Sequence, residues 1–201
     1  MSGSTRGAIV LLVLTMLAFW GSDHELYAQV DSSKVYKSVE KAFENPDEVF
    51  HLKLKWNRYE SFPAEVFQFK NLISLNLDRN RIDSIPAEIS KLKSLEKLSL
   101  EFNKLVYVSP EIDQLNNLKE LRLGDNEIAT LPESMGELHN LEILSLWSNN
   151  IVEVPGSFKS LSSLKTVDLR HIRHTEAEQG AIRAMLPNNI ELKFSTTCNC
   201  D

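Results

Sequence analysis

Hydrophobic and polar positions follow one pattern that repeats through the middle of the chain. In residues 72–94, LISLNLDRNRIDSIPAEISKLKS, the apolar positions are Leu72, Leu75, Leu77, Ile82, Ile85, Ile89 and Leu92, with Asn80 and Pro86 between them. Leu75 and Leu77 stand two apart, the period of a strand with one buried face. Ile85, Ile89 and Leu92 stand four and three apart, the spacing of a helical turn or a loose convex wall. The unit therefore predicts a short strand, a turn and a return path. It recurs at an unbroken interval of 23 residues, opening at Val49, Leu72, Leu95, Leu118, Leu141 and Leu164. The strand pairs are Leu52/Leu54, Leu75/Leu77, Leu98/Leu100, Leu121/Leu123, Leu144/Leu146 and Val167/Leu169. Asparagine follows the first five pairs, at Asn57, Asn80, Asn103, Asn126 and Asn149. Proline recurs at Pro63, Pro86, Pro132 and Pro155, while the third copy has Ser109 there and Pro110 one place later.

Each position has a physical reason. Paired leucines point inward from parallel strands spaced about 4.8 Å apart in successive coils. The turn after each strand exposes backbone donors and acceptors inside the coil stack. A buried asparagine amide both donates and accepts, so the stacked asparagines are expected to form a ladder that bonds adjacent turns. Proline fixes φ on the return path and brings no N–H that needs a partner. Ordering the backbone of one coil costs more than burying its few apolar side chains returns, so stability is collective along the array.

The pattern changes at both ends. Residues 31–44, DSSKVYKSVEKAFE, place Val35, Val39, Ala42 and Phe43 on one face of a 3.6-residue period, which predicts an amphipathic helix ended by Asn45-Pro46. In the sixth copy Ile172 takes the asparagine position and His174 the next apolar one. Thr175 with Glu178 then predicts a capping box, Ile182, Met185 and Leu186 give a helix an apolar face, and Ile190, Leu192 and Phe194 alternate as a closing strand. At the N-terminus Arg6 precedes an uncharged apolar run from Ala8 to Trp20, short of the roughly 20 residues a membrane span requires. With Leu26-Tyr27-Ala28 after it, the run predicts an export signal cleaved near Ala28, or an N-terminal anchor if it is left uncleaved. The expected organisation is 1–28 signal peptide, 29–48 N-terminal capping helix, 49–171 repeats, 172–194 C-terminal cap and 195–201 flexible tail.

The strand pairs and the asparagine after them carry a resemblance to the leucine-rich repeat family, L-x-x-L-x-L-x-x-N-x-L. The 23-residue form with Leu-Pro, as in NEIATLPESMGEL, resembles the Ras-suppressor class. The leading segment and the closing LPNNIELKF resemble single-domain secreted leucine-rich repeat proteins of bacteria. The resemblance implies an α/β solenoid: a leucine-rich repeat horseshoe with a parallel concave sheet, a capping helix at the N-terminus and a helix-plus-strand cap at the C-terminus.

Composition narrows the function more than the fold. A net charge of −6 and a pI near 5.5 lack the basic footprint of nucleic-acid binding. The two cysteines, Cys198 and Cys200, lie at the extreme C-terminus and cannot staple a core. Nothing in the chain resembles a nucleophile with its base, a phosphate loop or paired carboxylates, so no enzyme, cofactor or metal site is expected. His171 and His174 fall three apart on irregular backbone beside Arg170 and Arg173, a poor setting for a metal.

What remains is recognition. Side chains flanking each buried pair face outward on the concave sheet. In these columns Trp56, Phe102 and Trp147 are large aromatics at positions that packing does not require, with Arg79, Arg122, Ile143, Asp168 and Arg170 around them. Exposed aromatics with arginine are the usual anchors of protein interfaces. Alternatively Trp56 and Phe102 tuck against the turn, with Trp147 pointing most directly outward. Charge also segregates, with Lys53, Lys55, Arg58, Arg79 and Arg81 early and Glu101, Glu120, Asp125 and Glu127 in the middle. The expectation is a monomeric, exported, non-catalytic module that binds a protein partner through its concave face. Its alternatives are a cytoplasmic Ras-suppressor-like scaffold and a cell-surface adhesion protein that stacks aromatics on sugars.

Overall fold

The computed structural model describes residues 31–195. The export segment, the cleavage point at Ala28 and the two cysteines lie outside the described residues. The coil strands are His51–Lys53, Ser74–Asn76, Lys97–Ser99, Glu120–Arg122, Ile143–Ser145 and Thr166–Leu169. With Val35–Tyr36 at one edge and Glu191–Phe194 at the other, they form an eight-stranded sheet that is parallel at every pairing. Register follows the repeat, so that Leu52, Leu75, Leu98, Leu121, Leu144 and Val167 lie opposite one another. These residues, and Leu54, Leu77, Leu100, Leu123, Leu146 and Leu169 two places on, are essentially inaccessible to solvent.

The return path is built from single 3₁₀ turns, Ala64–Gln68, Ala87–Lys91, Pro110–Gln114, Glu133–Glu137 and Gly156–Ser160. In each, the residue that starts the turn contributes its carbonyl. Pro63, Pro86, Ser109, Pro132 and Pro155 accept at 3.1 Å from Val66, Ile89, Ile112, Met135 and Phe158 respectively. All five donors are fully buried. In the third coil Ser109 supplies the carbonyl and Pro110 takes the first position of the turn, where its missing N–H costs nothing. A second, two-stranded sheet pairs Ser84–Ile85 with Tyr107–Val108 on the descending flank.

Asparagine amides bond backbone to backbone across coils rather than to one another. The Asn126 amide nitrogen donates to Leu123 O in its own coil at 2.9 Å and to Leu100 O in the preceding coil at 3.0 Å, while its oxygen accepts from Leu105 N at 3.0 Å. Asn80, Asn103 and Asn149 repeat this arrangement with Leu54, Leu77 and Leu123 of the coil before each. Asn57 stands outside this ladder. It is exposed, because what precedes the first coil is not another coil with a carbonyl in that place.

The helix expected over residues 31–44 is replaced by a strand and one helical turn. Val35 and Tyr36 pair with His51 and Leu52, and the turn Val39–Ala42 follows, capped by Ser38, whose hydroxyl accepts from Lys41 N at 3.3 Å. Fourteen residues make a marginal helix, whereas the first coil offers a row of unpaired backbone groups at its edge. Val35 is consequently exposed and Tyr36 is buried in its stead, and the Phe43 ring packs tilted against Phe69 at 5.2 Å. At the other end the capping box is present: Thr175 Oγ1 accepts from Glu178 N, and Glu178 Oε2 accepts from Thr175 N at 2.7 Å. Helix Glu176–Ala184 buries Ile182, with Leu186 buried just beyond it, but leaves Met185 exposed. His174 fills the core position of an aliphatic residue, and its Nε2 bonds Ile151 O at 2.7 Å.

Replacing Asn126 by Ala leaves the buried Leu105 N–H without its acceptor and takes one of two amide donors from each of Leu100 O and Leu123 O. We expect a loss of about 3 kcal/mol in urea denaturation. Asn57→Ala is expected to change stability by no more than about 0.5 kcal/mol.

Candidate functional site

The outward columns of the sheet are His51, Ser74, Lys97, Glu120, Ile143, Thr166 and Lys53, Asn76, Ser99, Arg122, Ser145, Asp168. A third column, Lys55, Asp78, Glu101, Gly124, Trp147, Arg170, runs where each strand enters its turn. Beside it Trp56, Arg79, Phe102, Asp125, Ser148 and His171 all have left-handed backbone, with φ of 65°, 58°, 58°, 55°, 54° and 59°. Only the aspartate and histidine are types enriched in that region, so residue identity gives no sign of it. Hydrogen bonds across coils hold the geometry instead. Arg79 N donates to Glu101 O at 2.9 Å, Phe102 N to Gly124 O at 3.0 Å, Asp125 N to Trp147 O at 2.7 Å and Ser148 N to Arg170 O at 2.8 Å.

The large side chains of these two columns form a row along the border of the face. The Arg79 guanidinium lies between the rings of Trp56, at 4.9 Å, and Phe102, at 4.0 Å. Phe102 meets Trp147 edge-on at 5.4 Å, and Trp147 meets His171 edge-on at 6.2 Å. Trp147, expected to point outward, is half-buried. Its indole lies across Gly124, where a Cβ would come within 2.1 Å of Nε1. Beyond Gly124, Nε1 donates to Glu101 Oε1 at 3.2 Å, and Ser145 Oγ donates to the same oxygen at 3.4 Å. Glu101 was not among the residues expected at the site. The signal that could have found it is the single glycine in the third column, midway between Glu101 and Trp147. Trp56, by contrast, is 68% exposed, and Phe102 is intermediate.

Most charges on the face are paired within it. Asp78 is buried, with Lys55 Nζ at 2.6 Å and further hydrogen bonds from Ser99 Oγ, Asn76 Nδ2 and Glu101 N. Burial opposes its ionisation, but the bonds from Lys55, Ser99 and Asn76 prevail and hold the carboxyl below the usual range. Asp168 is likewise buried and is lowered against desolvation by Arg170, whose Nε and terminal nitrogen lie 2.9 and 2.7 Å from its two oxygens. Arg122 Nε bonds Glu120, which also has Lys97 Nζ at 3.6 Å. Of the two-ended charge pattern read from the sequence, Lys55 and Glu120 are neutralised on the face and Arg81 by Glu60, while Lys53, Arg58 and Arg79 have no ion pair among the described residues. Between the Asp78 and Glu120 clusters lies a depression of about 270 Å³. Ile143, half-buried, lies beside Glu120 in register. Among the described residues no group of three or more His, Cys, Asp or Glu is placed to hold a metal ion; His174 faces the core and His171 the border of the face.

A family model described as leucine rich repeat matches residues 40–105 and 116–173, more than half of the chain. The chain belongs to the leucine-rich repeat family. Among solved structures it is similar to a leucine-rich repeat protein of Leptospira interrogans, at 32% identity and a TM-score of 0.60, over 81% of this chain and 48% of that one. It is also similar in fold to an internalin of Listeria monocytogenes, at 20% identity and a TM-score of 0.58, over 75% of this chain and 42% of that one. A third likeness is to the ectodomain of the plant membrane receptor kinase GASSHO1/SCHENGEN3 from Arabidopsis thaliana, solved in complex with CASPARIAN STRIP INTEGRITY FACTOR 2. It has 23% identity and a TM-score of 0.58, over 80% of this chain and 20% of that one. The chain thus spans about half or less of the solved chains it matches. A search of curated proteins finds no match. The leucine-rich repeat fold suggests a protein-interaction module. Among the described residues no helix is long and apolar enough to cross a membrane.

In Gly124→Ala the new methyl displaces the Trp147 ring, the movable side of the contact. The fold is retained at a cost of about 1 kcal/mol, and tryptophan emission shifts to the red. Asp78→Asn costs about 2 kcal/mol at pH 7. Because the native Asp78 carboxyl is lowered, its stabilisation is present above the ordinary carboxylate pKa of about 4 and is lost as pH falls through the depressed value. The gap in melting temperature between native and variant protein should therefore close in acid and stay open at neutral pH.

Proposed function

We propose that this protein is an exported, monomeric, non-catalytic module that binds a protein partner through the concave face of its sheet. The observation that carries the proposal is the row Trp56, Arg79, Phe102 and Trp147. These four side chains are bulky and partly or largely solvent-exposed, and the core does not require them. Aromatics and arginine held in one orientation before binding lose little side-chain entropy on contact, and interfaces concentrate their energy in such groups. The six coil strands present about 24 Å of face at ~4.8 Å spacing, matched to the ~800 Å² a standard interface buries on each partner. The solved receptor complex from Arabidopsis, whose fold is similar, carries its bound factor on a leucine-rich repeat ectodomain, which supports a protein ligand by analogy of fold.

Asp168 and Arg170 spend most of their bonds on each other, and Arg122 is tied to Glu120, so we place them at the rim of the interface rather than its centre. The acidic balance of the chain supports a partner other than nucleic acid. Export follows from the N-terminal pattern. The Leu-Pro pattern of the repeats places the chain in the Ras-suppressor class in this reading, as a matter of repeat type rather than of cytoplasmic role.

Crosslinked capture with the purified protein tests the binding face. Trp147→Ala combined with Phe102→Ala should reduce capture of the partner at least tenfold while the melting temperature changes by only a few degrees. Unchanged capture would sink the assignment. Intact mass of the exported protein tests the location: loss of the first 28 residues supports export, and retention of all of them in the cytoplasm favours the scaffold reading.

A further inference from the structure

The arginines of this protein differ in what engages their guanidinium groups. Arg122 is paired with Glu120, Arg170 with Asp168, and Arg81 lies 3.7 Å from Glu60. Arg79 is the exception on the face. Its guanidinium is flanked by Trp56 and Phe102, and among the described residues no hydrogen bond or ion pair engages it. Stacking uses the flat surfaces of the group and leaves the N–H edge, which is the part that grips a planar carboxylate through two parallel bonds. Its backbone is held in the left-handed turn by the bond to Glu101 O, and its side chain by the two rings. The donor is thus oriented before any ligand arrives.

Charge around Arg79 points the same way. In the first two coils Lys55 is neutralised by Asp78 and Arg81 by Glu60, whereas exposed Lys53 and Arg58 have no ion pair among the described residues. With Arg79 they make an uncompensated positive end on a chain whose net charge is −6. Beside it stands Trp56, 68% exposed, with much of its ring unused.

We propose that Trp56, Arg79 and Phe102 form a receptor for the carboxylate side chain of an aspartate or glutamate in an acidic peptide segment, with an apolar neighbour of that residue resting on Trp56. One planar fork suits one carboxylate, and the open indole beside it suits an apolar side chain carried on the same chain. The proposal rests on the concave face being the binding face and specifies the chemistry of what binds there.

The probe is a displayed library of random peptides, selected on the native protein and on Arg79→Asn and Arg79→Lys. Asparagine tolerates the left-handed backbone, and lysine keeps the charge while losing the planar fork. The expected result is enrichment of aspartate or glutamate next to an apolar residue on the native protein, lost on both variants. A selected peptide should weaken about tenfold or more when its acid becomes the amide, or when Arg79 becomes Lys or Asn, with melting temperatures unchanged. Peptides without acid enrichment, an unenriched pool, or equal binding to native and Arg79→Lys protein would each overturn the proposal. So would binding of a heparin fragment that depends on Arg79 when no acidic peptide is selected, because the ligand would then be a sulfated glycan. If the captured partner responds to Trp147→Ala with Phe102→Ala but ignores Arg79→Asn, the acidic-side-chain assignment falls and the face reading stands. If it ignores all of them, both fall.

Discussion

The structure depends on how the backbone escapes from each strand without leaving buried polar groups unpaired. A parallel strand of three residues cannot end freely inside a solenoid, because its last carbonyls would face the core. The asparagine side chain answers this by taking two strand-end carbonyls, one from its own coil and one from the coil before, on a single amide nitrogen. The left-handed residue before it answers the rest by donating its N–H to the next coil. Each coil is therefore satisfied only by its neighbours on both sides. This is the hydrogen-bond counterpart of collective burial, and it makes the array cooperative by geometry as well as by hydrophobic area.

That constraint also separates structural from variable positions. Leu75, Leu77 and Asn80 have counterparts in the full coils because they fill the core or close the turn. Arg79 sits beside Asn80 and bears none of that duty, since a backbone bond, not its side chain, fixes the left-handed turn, whereas Asn76 and the buried Asp78 accept backbone N–H groups at the strand end. A tryptophan, arginine or phenylalanine can accordingly stand at a conformation that usually selects small polar residues. The strain of about 1 kcal/mol at such a position is borne by bonds common to the coils, so residue identity there is free to answer to a partner.

The sequence made the core legible residue by residue, because a 23-residue interval with strand-spaced leucines leaves one way to stack. It was less informative at the ends. The period of Val35, Val39, Ala42 and Phe43 is helical, yet the open edge of the first strand outweighed it, and no local pattern encodes an edge. The face was legible only as columns. That Lys55 would be consumed by Asp78, Arg170 by Asp168 and Arg122 by Glu120 depends on side-chain reach across and along strands. Asn57 looked equivalent to its four counterparts because sequence records its position in the repeat but not the absence of a coil before it.

Trp147 has a consequence of a different kind. Its indole begins in the fifth coil, crosses the fourth over Gly124 and ends on Glu101 in the third. Such a strut spans two inter-coil spacings, and its hydrogen bond survives only over a narrow range of them. If the sheet bends more or less tightly around a partner, the strut is compressed or released before any core residue moves. Curvature of the solenoid, a property of the whole array, is thus registered at one nitrogen atom.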